Sequence, residues 1–109
     1  MTFRLKTLLH LRFFTLLCSL ALPAMAQDVA SLHQKADAAM CANCHGSEGR
    51  TVTGSAVPSI AGLPRDYMVA QMKAFKDGSR PATVMHQINK GLTDKQIESM
   101  ADYFAAQKR

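Results

Sequence analysis

The chain has 109 residues, of which 48% are hydrophobic and 19% charged, with three cysteines and no tryptophan. Its formal charge of +5 depends on Arg4, Lys6 and Arg12 near the N-terminus, because the remainder carries ten Lys and Arg against eight Asp and Glu. This small excess includes no basic run interleaved with aromatic residues, so the composition gives no support to nucleic-acid binding.

The first 26 residues have the pattern of a secretory signal peptide. A basic start precedes the apolar run FFTLLCSLAL, and the small residues of AMA at 24–26 are typical of a signal-peptidase site. The apolar run at 13–22 is shorter than the about 20 residues that a membrane-spanning helix needs. We therefore predict a signal peptide at 1–26, a mature domain at 27–109 in the periplasm, and no stable membrane insertion after cleavage.

Helical segments without a convincing strand follow, which predicts an all-α fold of three to four helices. The predicted segments are 29–40, a helix from Pro64 to a cap at Gly78, a short turn over 83–90, and a terminal helix after Thr93. The terminal helix has the clearest signal, because Thr93 and Gln96 match a capping box. Between these helices, residues 46–63 are rich in Gly, Ser and Thr and predict a loop.

The sequence CANCH at 41–45 has the spacing of c-type haem attachment. In that chemistry two thiols bond to the porphyrin vinyl groups, and the adjacent histidine supplies a nitrogen to the iron. A covalently fixed haem would also enlarge the core of a domain of about 80 residues, which is otherwise marginal. This interpretation accounts for Cys41, Cys44 and His45 together.

Three other uses of Cys41 and Cys44 are a zinc site, a redox dithiol and a structural disulfide. A structural zinc site needs four ligands, and only His33 and His86 remain as nitrogen donors. A thiol oxidoreductase of the thioredoxin type carries its C-x-x-C between a strand and a helix, whereas the residues before Cys41 have helical spacing. A simple disulfide leaves His45 unexplained, but the dithiol and disulfide interpretations stay open at this point.

A haem used for electron transfer is normally closed by a second axial ligand, and methionine in that position raises the reduction potential. The predicted mature chain offers Met40, Met68, Met72, Met85 and Met100. Met40 is too near Cys41 to reach the far side of a haem, and helical spacing assigns Met68, Met72 and Met100 to core packing. Met85 follows the break SRPAT and is the predicted ligand, with His86, His33 or an open site as alternatives.

The order of helix, C-x-x-C-H, proline-containing loop, helix, methionine and terminal helix resembles class I cytochrome c. This resemblance implies one haem c, packing of the first helix against the last, and a hydrogen bond from His45 to the carbonyl of Pro58. The segment 67–104, YMVAQMKAFKDGSRPATVMHQINKGLTDKQIESMADYF, more narrowly resembles the cytochrome subunit of flavocytochrome c sulfide dehydrogenase, and more loosely a cytochrome c4 domain. The narrower resemblance also implies Met85 as the axial ligand.

The resemblance implies a monohaem electron carrier that does not itself catalyse substrate chemistry. Its electron donor would be the flavoprotein subunit of a sulfide dehydrogenase. The alternatives are a free-standing shuttle to a terminal oxidase or other reductase, an open-site haem enzyme and a thiol-disulfide oxidoreductase. The candidates for contacting a partner or the haem propionates are Arg65, Lys73, Lys76, Arg80 and Lys90.

Overall fold

The computed structural model describes residues 22–109, with side chains from Asp28 onward. Its elements are helix α1 (Leu22–His45), a 3-10 turn (Ser47–Gly49), α2 (Arg65–Asp77), α3 (Met85–Lys90) and α4 (Asp94–Ala105). Residues 33–109 form one compact unit, to which the packing described below belongs. No strand occurs within residues 22–109, so the predicted all-α fold is confirmed.

The N-terminal prediction lies largely outside the described residues, because the description begins at Leu22. Helix α1 continues through Ala26, the predicted cleavage point, without a break. Among residues 22–109, no helix combines the length and the apolar character that crossing a membrane requires. The signal peptide therefore stays a prediction.

Helix α1 extends beyond both ends of the predicted segment 29–40, and the CANCH sequence forms its last turn. The predicted end was wrong because CANCH contains no helix breaker. The first glycine after it, Gly46, has a left-handed φ of 79° and ends the helix. The amide of Gly46 still donates to the carbonyl of Ala42 at 3.0 Å.

The later helices begin and end close to the predicted signals. Helix α2 follows Pro64 and is capped by Gly78, which has a left-handed φ of 85°. Helix α3 begins at Met85, two residues later than predicted. Helix α4 has the predicted capping box, since Thr93 accepts from the amide of Gln96 and donates its own amide to the Gln96 side chain.

The core consists of two clusters of buried side chains. Ala38, Met68, Ala101 and Phe104 form the first, which joins α1, α2 and α4. Leu92, Ile97 and Met100 form the second, around the start of α4. Cys41 packs against both clusters, so the end of α1 is anchored where the cysteine motif lies.

Ion pairs connect α2 to the first turn of α4. The ammonium of Lys76 donates to the carboxylate of Asp94 at 3.1 Å and to the carbonyl of Leu92 at 2.7 Å. Lys73 approaches the second oxygen of the same carboxylate at 3.3 Å. These contacts hold Asp94 near the positive end of the α4 dipole, where a negative charge is favoured.

Acid is expected to weaken this connection. Hydrogen bonds from Lys76 and Lys73 lower the pKa of the Asp94 carboxyl from its ordinary 3.8, so the folded state binds fewer protons here than the unfolded state. The stabilisation of the folded state by the Asp94 carboxylate is therefore complete above the ordinary pKa of 3.8 and is lost as the pH falls below it. Denaturant unfolding between about pH 5 and pH 2 should show a shallower loss of stability in Asp94→Asn than in the wild type. Parallel curves would contradict this expectation, and Lys76→Met should reproduce part of the effect.

Candidate functional site

The cysteine motif presents its three chemically active side chains on one face of α1. Cys41, Cys44 and His45 stand at positions i, i+3 and i+4, which are neighbours on a helix surface. Cys41 is half-buried, Cys44 is exposed and His45 is buried. Within residues 22–109, however, no three His, Cys, Asp or Glu side chains are grouped tightly enough to hold one metal ion. The three side chains therefore do not form a compact metal centre but line part of a larger space.

That space is a cavity of about 580 Å³, bordered by all four helices and by the loop at 56–63. Its lining is mostly apolar and includes the two cysteines and His45. No Asp or Glu of the described residues contributes to it, and Arg80 is the one Lys or Arg that does. Its size and lining are those of a site for a largely apolar small molecule.

The imidazole of His45 has a defined orientation. Its Nδ1 lies 2.7 Å from the carbonyl oxygen of Pro58. A carbonyl oxygen only accepts, so Nδ1 carries the proton and Nε2 is the nitrogen left with a free lone pair. A hydrogen bond of this kind is what fixes the ring of a metal-binding histidine.

The loop that carries Pro58 is fixed by a single carbonyl group. The oxygen of Gly49 accepts from Ser59 Oγ at 2.9 Å, from the amide of Ile60 at 2.8 Å and from the amide of Ala61 at 3.1 Å. Gly49 follows His45 by four residues, so these bonds hold the Pro58 loop against the end of α1. The orientation of His45 thus depends on the conformation of the chain at 46–49.

Replacing Gly46 with alanine is expected to disturb this turn. The backbone at Gly46 has a left-handed φ of 79°, which disfavours any side chain. A Cβ at this position would also lie 1.9 Å from the carbonyl oxygen of Arg50, so the backbone must shift. Gly78→Ala is a matched control, because Gly78 has a similar φ of 85° but open space around it. The control should lose about 1–2 kcal/mol in denaturant unfolding. Gly46→Ala should lose at least about 1 kcal/mol more, and equal losses would contradict this account of the turn.

All five methionines from Met40 onward line the cavity, so lining alone does not select a ligand. Met68 and Met100 are buried members of the two core clusters, and Met72 packs against the second. Met40 precedes Cys41 on α1, on the same side as the motif. Met85, like Met40, belongs to neither cluster, but it lies on α3 and not on the helix that carries the cysteine motif.

The predicted basic residues have different surroundings. Arg65 bonds to Asp102 at 2.6 Å, while Lys73 and Lys76 bond to Asp94, so these three are used in ion pairs between helices. The guanidinium of Arg80 donates to Gln71 and lies 4.5 Å from the centre of the Phe75 ring. Arg80 is thus held at the cavity wall, whereas Lys90 is exposed.

Cys41 does not have the environment of a reactive thiol. Cys41 and Cys44 are not joined in a disulfide. Burial, with smaller effects of Asp37 and Cys44, raises the pKa of the Cys41 thiol, whereas catalytic cysteines have a lowered pKa. Sulfur, imidazole and thioether groups around an apolar cavity instead fit a haem that is bonded to the chain.

One residue that contacts Met85 was not predicted from the sequence. Asn89 is completely buried and its side-chain amide donates to the carbonyl oxygen of Met85 at 2.7 Å. The available signal was its position four residues after Met85 in a short helix, where a side chain lies above the preceding turn. Polar residues at such positions are usually exposed, so the pattern did not reveal its burial.

Comparison with known proteins agrees with this geometry. The family model described as cytochrome c oxidase, cbb3-type, subunit III matches residues 24–104. Similar proteins include the cytochrome subunit of sulfide dehydrogenase of Chlorobaculum tepidum, 42% identical over 64 residues that cover 59% of this chain and 56% of that protein. Cytochrome c4 of Pseudomonas aeruginosa is 36% identical over 74 residues, covering 68% of this chain and 36% of that one.

A thiosulfate dehydrogenase electron acceptor of Thiomonas intermedia is 36% identical over 72 residues, covering 66% of this chain and 33% of the relative. The chain thus spans about half the length of the first relative and about a third of the other two. The resemblance drawn from the motif order and from segment 67–104 is confirmed. The match over 24–104, together with a C-x-x-C-H turn facing an apolar cavity, shows that the chain belongs to the cytochrome c family.

Proposed function

We propose that this protein is a periplasmic monohaem cytochrome c that transfers single electrons between redox partners. The observation that carries the proposal is the common face of Cys41, Cys44 and His45, which opens on an apolar cavity that Met85 also lines. The family membership supports haem attachment and electron transfer. The number of haems, the compartment and the partner belong to the proposal.

Each functional residue has a distinct task. Cys41 and Cys44 would form the thioether bonds that attach the haem to α1. His45, whose Nδ1 donates to Pro58, would bind the haem iron through Nε2, and Met85 would bind it through its thioether sulfur. The haem supplies a reversible Fe(III)/Fe(II) couple when bound. With His45 and Met85 both bound to the iron, no position would remain for a substrate, and the protein would carry electrons without catalysing substrate chemistry.

The cavity lining influences how readily an electron is accepted. Apolar surroundings disfavour the additional positive charge of the oxidised iron, and methionine ligation acts in the same direction. Arg80, the one guanidinium in the described lining, is suited to pair with a haem propionate. Its contacts with Gln71 and Phe75 restrict the movement of its side chain.

The electron donor is proposed to be the flavoprotein subunit of a sulfide dehydrogenase. Support comes from the 42% identity to a cytochrome subunit of sulfide dehydrogenase. A second candidate is a free-standing shuttle, which two relatives named thiosulfate dehydrogenase electron acceptor favour. Purification from the native host distinguishes them, because a subunit co-purifies with a flavin-containing chain and a shuttle elutes alone.

Absorption spectra of the oxidised and reduced protein test the electron-transfer proposal. The protein should be matured in a host that attaches haem to C-x-x-C-H sequences. We expect sharp bands in the reduced form, a weak far-red sulfur-to-iron band in the oxidised form, and no spectral change when carbon monoxide is added to the reduced form. Carbon monoxide binding at neutral pH would indicate an open-site haem enzyme. A colourless protein with two titratable thiols would indicate a thiol-disulfide oxidoreductase.

A further inference from the structure

Asn89 is an unusual residue for the interior of this domain. Its side chain is 0% exposed and is among the largest fully buried side chains of the described residues, together with Ile97 and Met100. Burial of an amide is unfavourable unless its donors and acceptor find partners. An apolar side chain of similar size would avoid the cost of burying an amide.

The amide of Asn89 is half-satisfied, and its one bond is made to Met85. Nδ2 donates to the carbonyl oxygen of Met85 at 2.7 Å. Oδ1 is buried and has no hydrogen-bond partner among the described residues. The opposite orientation of the amide would bring two acceptor oxygens together at the Met85 carbonyl, so the donor must face Met85. The one favourable hydrogen bond of the Asn89 amide is therefore made to the backbone of Met85, and its acceptor oxygen Oδ1 is left unpaired.

Helix α3 needs such a bond because it is only six residues long. A helix of this length is unstable by itself and depends on contacts with the rest of the protein. Ile88 supplies one contact by packing against Leu92, Ile97 and Met100. Met85, at the first position of α3, belongs to neither core cluster, and its carbonyl oxygen accepts from the Asn89 side chain.

We propose that Asn89 is a positioning residue that holds the backbone of Met85 so that its thioether faces the haem cavity. This inference rests on the proposed function, in which Met85 is an axial ligand. The buried amide is retained because it fixes the start of α3, although an apolar residue would be less costly to bury. Loss of the bond should release Met85 more often without unfolding the domain.

Imidazole binding to the oxidised, haem-loaded protein measures this release, because imidazole binds iron only when Met85 dissociates. In Asn89→Leu the apparent affinity for imidazole should rise about fivefold, the effect of one ordinary hydrogen bond. The far-red sulfur-to-iron band should weaken before the protein unfolds on heating. Resistance to denaturant should stay equal or increase, because leucine also removes the unpaired Oδ1.

Two variants separate positioning from general stability. Ile97→Val removes a methylene from a fully buried residue that does not line the cavity, so it should lower stability and leave imidazole affinity unchanged. Gln87→Leu changes an exposed residue of α3 and should alter neither quantity. If Asn89→Leu does not mature, Asn89→Ala provides the same measurement with a smaller side chain.

The inference is overturned if imidazole affinity in Asn89→Leu and Asn89→Ala stays within about twofold of the wild type. It is also overturned if Ile97→Val raises the affinity as much as Asn89→Leu does. Met85→Ala distinguishes this failure from failure of the proposed ligand. If Met85→Ala retains the far-red band, Met85 is not the ligand. If that band is lost while the Asn89 variants behave like the wild type, only the role of Asn89 is wrong.

Discussion

Haem-loaded Met85→Ala is expected to lack the far-red band of the oxidised protein and to have a reduction potential lower by roughly 0.1–0.3 V. Axial ligands set haem potentials over a range of about 0.8 V, and methionine opposite histidine lies toward its upper part. Loss of the thioether leaves water or another donor at the iron, which stabilises the oxidised state. The reduced variant should also bind carbon monoxide. A spectroelectrochemical titration measures the potential and the band together.

Met40→Ala is the matched control for this experiment. Met40 also lines the cavity but is 45% exposed and precedes Cys41 on α1. Its removal should leave the far-red band and change the potential by less than about 0.05 V, a small fraction of the range that ligands control. A far-red band that persists in Met85→Ala, or one that disappears in Met40→Ala, would show that the ligand has been assigned wrongly.

Phe104→Ala is expected to destabilise the folded protein by about 3–5 kcal/mol. Phe104 is 2% exposed and belongs to the cluster that joins α1, α2 and α4. Its ring contacts that of Tyr103 edge to face, with centroids 5.1 Å apart, and its backbone carbonyl accepts from the amide of Gly62. The loss would remove a large share of the 5–15 kcal/mol that stabilises a typical domain. Denaturant unfolding of the haem-loaded protein measures it.

The control for Phe104 is Val52→Ala, because Val52 is 81% exposed. This change should alter the free energy of unfolding by no more than about 0.5 kcal/mol. A loss below about 1.5 kcal/mol in Phe104→Ala would contradict the placement of Phe104 in the buried cluster that joins α1, α2 and α4. Since Phe104 also lines the cavity, its replacement should additionally broaden the spectrum of the bound haem.

Local signals predicted the later helices well because their ends are fixed by the chemistry of single residues. The capping box of Thr93 and Gln96, the ring of Pro64 and the left-handed Gly78 each act within one turn of chain. The end of α1 was predicted too early because CANCH has no such signal of its own. Its limit is set by Gly46, whose close approach to Arg50 becomes visible only in the folded turn.

The candidate site was predictable where its residues are adjacent in sequence. The spacing of Cys41, Cys44 and His45 by itself predicts covalent haem attachment. Met85 was predicted from its position after the break SRPAT and by elimination of the other methionines, and the family resemblance supported it. Prediction of Pro58 needed the family resemblance, because many packing arrangements bring a carbonyl group to a cavity. The contact between Asn89 and the Met85 backbone was not predictable, since burial of a polar residue depends on how the complete domain packs.

Intact mass spectrometry of the protein, after maturation in a cell that attaches haem c, tests the central claim most directly. The account predicts that the chain carries the mass of one haem, retained after denaturation and acid extraction, and that Cys41→Ala with Cys44→Ala abolishes this addition. A polypeptide that retains only the mass of its amino acids under those conditions would contradict covalent haem attachment and the electron-transfer function built on it.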